Sequence, residues 1–138
     1  MTDDELKRIK QRKLRELLRS SEYAPKTTHL LPGAPLTVTD SSFQQVIQQH
    51  PLVVVDCWAI WCAPCRMIAP VIESLAQDYV GRIVFAKLDV DKNPRISAQY
   101  FIQSIPTLLI FKNGQLVDRL VGALPRQLLE PKIIQHLS

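Results

Sequence analysis

From Leu52 to Ala59 the chain reads "LVVVDCWA", apolar at odd and even positions alike except for one acid, Asp56. A strand with one solvated face alternates, so a run apolar on both faces predicts a central strand of a parallel sheet covered by helices on either side. "RIVFAKLDVD" predicts a second buried strand, and "PLTVTD" a short one before it. "TLLIFK" and "QLVDRLVG" flank Asn113-Gly114. That dipeptide supports the positive φ values of a type I′ turn, so the two runs predict an antiparallel hairpin.

Helical stretches fill the intervals. Asp40 is placed as the N-cap of a helix reaching about Gln49, a second helix follows the cysteines to Tyr79, and "NPRISAQYF" predicts a short helix with Pro94 in its first turn. A last helix is expected from about Pro125 to Leu137. The order βαβαβαββα predicts an α/β fold, a mixed sheet with helices on both faces. Before it, residues 1–20 lack Gly and Pro and space Leu6, Ile9, Leu14, Leu17 and Leu18 along one face, as in a basic amphipathic helix. Residues 21–35 carry Pro25, Pro32, Gly33 and Pro35 and read as a linker to a domain over 36–138.

Charge changes this picture little. The net charge of +4 divides into +3 over residues 1–20 and +1 over the rest, so the body has no basic stripe and nucleic acid is not an expected partner. No apolar stretch approaches the roughly 20 residues needed to cross a bilayer. Asp3, Asp4 and Glu5 stand where a signal peptide would be basic, so the expected location is the cytoplasm. The expected state is a monomer.

The chemistry concentrates at "WCAPCR". Cys62 is expected to end the strand-to-helix turn, facing outward, with Pro64 early in the helix and Cys65 one turn in. Free N–H groups and the positive end of the helix dipole favour a thiolate over a thiol, which would lower the Cys62 pKa and make it the nucleophile, with Arg66 adding positive charge. Cys65 would then be the resolving thiol. Zinc needs two further ligands, and Cys57, His29, His50 and His136 supply no second pair at ligand spacing, so no metal is expected. A structural crosslink closing so small a loop would remove little chain entropy. Asp56, among valines, should lose solvation when ionised and hold its proton to higher pH, which suits acid-base work on Cys65. The competing reading satisfies Asp56 with backbone donors or with Lys87.

"VVVDCWAIWCAPCRMIAP", "AKLDVDKNP", "IPTLLIFKNG" and "VGALP" together resemble the thioredoxin family in order and spacing, over roughly residues 35–138. The resemblance implies the thioredoxin fold, a reversible Cys62–Cys65 disulfide, Asp56 as a buried acid with Lys87 beside it, and a cis peptide before Pro106. It also implies a substrate-binding rim of Trp61, Ala63, Pro64, Ile105, Pro106, Val121, Gly122 and Ala123. Gly122 there suits close backbone approach, and Pro70 should kink the active helix. The activity implied is reduction of protein disulfides without a bound cofactor. Since no Rossmann fingerprint is present, a separate thioredoxin-reductase-type protein is the expected electron donor.

The chain departs from the family's pattern in four places. Ala63 replaces a usual Gly, Ile60 stands where an acid is common, Cys57 replaces an aromatic and reads as buried filler, and Pro131 falls inside the last helix. Two alternatives stay open: a disulfide oxidase or isomerase, and a non-enzymatic binding module docked by the N-terminal helix.

Overall fold

Parallel pairing of three strands and antiparallel pairing of two build one five-stranded sheet, in a computed structural model that describes residues 33–137. The expected helix over 1–20 and most of the linker over 21–35 lie outside the described residues. The elements are β1 (Leu36–Val38), α1 (Phe43–Gln49), β2 (Leu52–Trp58), α2 (Ala63–Asp78), β3 (Val84–Asp89), α3 (Pro94–Gln99), β4 (Thr107–Lys112), β5 (Gln115–Val121) and α4 (Arg126–Ile134). This is the expected order. The sheet runs β1-β3-β2-β4-β5, with β1 and β2 parallel to β3, and β4 antiparallel to both β2 and β5.

β2 lies in the middle, and its two-residue period decides what each helix layer meets. Leu52 and Val54 face Ile68, Ile72 and Leu75 of α2 and Leu129 and Ile133 of α4. Val53, Val55 and Cys57 face Phe43 and Ile47 of α1 and Ile96 of α3. Burying a side chain of this size contributes roughly 1.5–3 kcal/mol, so β2 anchors both cores. By the same alternation Asp56 falls on the α2 side and Cys57 on the other. On β3, Lys87 shares the face of Phe85 and stands in register with Asp56.

The structure revises three local expectations. Asp40 does not cap α1, whose N-cap is Ser42. Its carboxylate instead accepts the backbone N–H groups of Arg95 (3.2 Å) and Ile96 (2.9 Å), so it caps α3, more than fifty residues away. A carboxylate at orphan N–H groups is equally satisfied from its own helix or from another, and only the tertiary fold decides between them. The short helix also stops at Gln99 rather than Phe101, because Phe101 turns left-handed at φ 53°. The Ile102 N–H then reaches back to the Ser97 carbonyl (2.9 Å), closing the helix end. Finally, α4 ends at Ile134 rather than Leu137. Beyond it the His136 and Leu137 N–H groups bond three residues back, to Ile133 and Ile134, so the last turn tightens.

Other readings hold. Asn113 and Gly114 both have positive φ, 52° and 82°, and join β4 to β5 through the Lys112–Gln115 pair. Pro131 lies inside α4, where it lacks the N–H that would bond Gln127. Arg126 ties α4 to α2 through Asp78 (2.6 Å) and Ser74 (2.6 Å), and also bonds Glu130. Together with the Tyr79 hydroxyl, Arg126 holds the Glu130 carboxyl below its usual range. Among the described residues no helix is long and apolar enough to cross a membrane.

Candidate active site

At the end of β2 the chain leaves the sheet through Ala59–Trp61 and enters α2 with Cys62 as its N-cap, at φ −89° and ψ 108°. An N-cap residue is extended while the next is helical, which leaves the first N–H groups of the helix without backbone partners. One of them, the Cys65 N–H, donates to Cys62 Sγ at 3.2 Å. Pro64 occupies the first turn, where it forfeits no bond. Cys62 and Cys65 form a disulfide with Cα atoms 5.3 Å apart.

The expectation that Cys62 faces outward is corrected: both cysteines are only 3% exposed. They pack with Ala59 and are flanked by Trp58, Val90 and Ile105. The exposed residues of the turn are Ile60, Trp61, Ala63 and Pro64. Trp61 is itself held, its indole N–H donating to Asp91 Oδ2 at 2.8 Å.

Opposite the disulfide, Ile105 and Pro106 are joined by a cis peptide, and the Ile105 carbonyl oxygen lies 3.8 Å from Cys62 Sγ. Pro106 is buried, Ile105 half-buried. The Gly122 N–H donates to the Pro106 carbonyl at 2.9 Å, which fastens Val121, Gly122 and Ala123 to the same loop. Gly122 is required for its φ of 100° rather than for a close approach, since a Cβ there would meet nothing within 4 Å. The sequence-derived rim therefore gathers around one disulfide.

Beneath α2, Asp56 is 1% exposed and neither carboxylate oxygen has a hydrogen-bonding partner among the described residues. Burial pushes its pKa up to about 6, and the charge of Lys87 offsets part of that rise. Of the competing reading, satisfaction by backbone donors does not hold, and no ion pair joins Asp56 to Lys87. Lys87 influences Asp56 through its charge, and its ammonium sits 5.0 Å from the centre of the Trp58 ring. Cys57, on the far face of β2, is buried and pushed up to about 12 by desolvation and then by Asp56, so it stays a thiol. Among the described residues no group of three or more His, Cys, Asp or Glu side chains is placed to hold a metal ion.

Three features escaped sequence reasoning. Arg66 Nη1 donates to the Ile60 carbonyl at 2.8 Å, pinning the turn before Cys62 to the helix after it. Asp91 holds Trp61, a pairing that the "DVD" at the end of β3 could not announce across thirty residues. Met67 is exposed; its position off the 65, 68, 72 stripe of α2 was the available signal.

Residues 34–135 match the family model described as Thioredoxin. A thioredoxin of Chlorobaculum thiosulfatiphilum is 50% identical over 107 residues, 77% of this chain and 99% of that protein. Thioredoxin 1 of a Nostoc species is 50% identical over 106 residues, 76% of this chain and 99% of its own. Among solved structures, a mutant thioredoxin from Halobacterium salinarum matches with a TM-score of 0.72 at 32% identity, over 78% of this chain and 94% of the other.

Proposed function

We propose, from the premise that this chain belongs to the thioredoxin family of protein-disulfide reductases and has its fold, that Cys62 is the nucleophile and Cys65 the resolving thiol of a thiol-disulfide oxidoreductase. The observation that carries the assignment of roles is the Cys65 N–H aimed at Cys62 Sγ at the start of α2. In the reduced protein that donor and the helix N-terminus favour the Cys62 thiolate. The thiolate attacks one sulfur of a substrate disulfide, forming a mixed disulfide and releasing the other sulfur as a thiolate. Cys65, losing its proton, then attacks Cys62 Sγ and expels the second substrate sulfur. Two electrons pass to the substrate and the Cys62–Cys65 bond is the oxidised product.

Asp56 is the proton carrier for Cys65 in this scheme, and Lys87 the partner that keeps its proton exchangeable near neutral pH. A carboxyl pushed up to about 6 can be found in either form at pH 7, as acid-base work requires. Trp61, Ala63, Pro64, Ile105, Pro106, Val121, Gly122 and Ala123 form the surface that holds an extended substrate segment beside the disulfide. Restoring the dithiol requires electrons from a separate reductase of the thioredoxin-reductase type. We place the protein in the cytoplasm as a monomer, with residues 1–20 and 21–35 as extension and linker ahead of a catalytic domain over 36–138.

Equilibration of the Cys62–Cys65 pair against a dithiol buffer tests the direction of electron flow. The expected potential is about −270 mV, that of a reductant, whereas a value near −120 mV would mark an oxidant and contradict the reading. Ala63 between the cysteines is the residue that could move it.

A further inference from the structure

Large apolar side chains stand in solvent at three positions around the active turn: Ile60 is 75% exposed, Trp61 66% and Met67 72%. Trp61 belongs to the substrate rim, but Ile60 and Met67 do not. Their neighbours Ala59, Cys62, Cys65 and Ile68 are all buried, so the fold has core positions available here and leaves these two out of them. Met67 lies one turn beyond Ala63 on α2, which continues the rim along the helix surface.

Arg66 directly precedes Met67 on α2. Its Nη1 is fixed on the Ile60 carbonyl at 2.8 Å, and no ion pair is formed by it among the described residues. The guanidinium thus keeps donors for a partner at a set position. Beside it opens a cleft of about 160 Å³, walled by Trp58, Ala59, Ile60 and Ala69, reaching Cys65, with Arg66 at its edge and Lys87, whose charge also acts on Asp56, in its lining. Apolar walls with cations at the edge suit an aliphatic side chain next to a carboxylate.

We propose that Ile60, Arg66 and Met67, with the cleft beside them, select disulfide substrates that carry a large aliphatic side chain adjacent to an acidic residue near the attacked cysteine. This rests on the oxidoreductase reading and adds substrate choice to it. The aliphatic chain packs on Ile60 and Met67, and the carboxylate pairs with Arg66.

Single-turnover reduction by the pre-reduced full chain, with three peptides sharing one disulfide, provides the test. They carry Leu-Glu, Leu-Gln or Ser-Glu beside the attacked cysteine. The expected second-order rates favour Leu-Glu over Ser-Glu by about tenfold, as partial burial of a leucine side chain implies, and over Leu-Gln by about three- to fivefold, as a surface ion pair implies. Ile60→Ser should bring the first ratio down to about two, and Arg66→Gln the second to about one. Ratios cancel any change in the nucleophile itself. Wild-type ratios within twofold of one, or ratios untouched by both substitutions, overturn the proposal while leaving the reductase reading in place. Reduction of none of the peptides would instead defeat the reductase reading, a separable result. A concentration-dependent dimer lost on Ile60→Ser with unchanged ratios would show that a second copy of the chain covers the patch, and would also overturn the proposal.

Discussion

Cys62→Ser is expected to abolish multiple-turnover reduction of insulin disulfides, with a loss of at least about a thousandfold, because a serine hydroxyl is not ionised near neutral pH and neither Cys57 nor Cys65 is placed to replace the thiol. Cys65 is as buried as Cys62 and lacks the N-cap position. Cys57 lies on the opposite face of β2 with its thiol pushed up to about 12. Cys65→Ser should behave differently: the first attack survives, the mixed disulfide accumulates, and release stops. A stable adduct through Cys62 is therefore expected in that variant by intact mass. Wild-type turnover in Cys62→Ser would remove this residue from the mechanism.

Asp56→Asn is expected to have the second large effect, in opposite directions on stability and rate. Burial pushes the native carboxyl up to about 6, against an ordinary value of 3.8. Below about pH 4 both folded and unfolded chains hold the proton, and the acid carries no charge penalty. Between about 4 and 6 the unfolded chain releases it while the folded chain retains it, so wild-type stability falls as pH rises. At 1.36 kcal/mol per pH unit the total is about 3 kcal/mol, complete above pH 6. Asparagine has no proton to lose, and its amide replaces a group already without hydrogen-bonding partners. The variant should therefore match wild type near pH 4 and exceed it by about 3 kcal/mol at pH 8 in urea unfolding. A difference independent of pH would contradict the burial account. Disulfide reduction at pH 7 should slow by roughly a hundredfold, the low end of what a positioned acid-base group contributes.

What could be read from the chain alone follows the range of the interactions involved. The doubly apolar run of β2 announced a central strand because its period is local, and Asn113-Gly114 announced the hairpin because its φ values are intrinsic to those residues. Asp56 stood out for the same reason, an ionisable group inside an apolar pattern. Asp40 was misassigned because its choice of α3 over α1 is made by the parallel pairing of β1 with β3, which brings the two segments together. The burial of Cys62 escaped notice since Ile105, which covers it, arrives from more than forty residues away. Arg66 looked like a charge near a thiol, and only the fold shows it fastened to Ile60. Phe101 gave no warning either, for an aromatic residue rarely takes a left-handed φ, and here Arg119 bonds the carbonyls of Tyr100 (2.5 Å) and Phe101 (3.4 Å) around it.

The unequal ionisation of two sulfurs three residues apart is best tested by alkylating the reduced protein with iodoacetamide at pH 6 and mapping the label by mass. Rapid modification of Cys62, with Cys65 and Cys57 largely spared, is the predicted result. Equal and slow labelling of Cys62 and Cys65, or labelling of Cys65 first, would contradict the account.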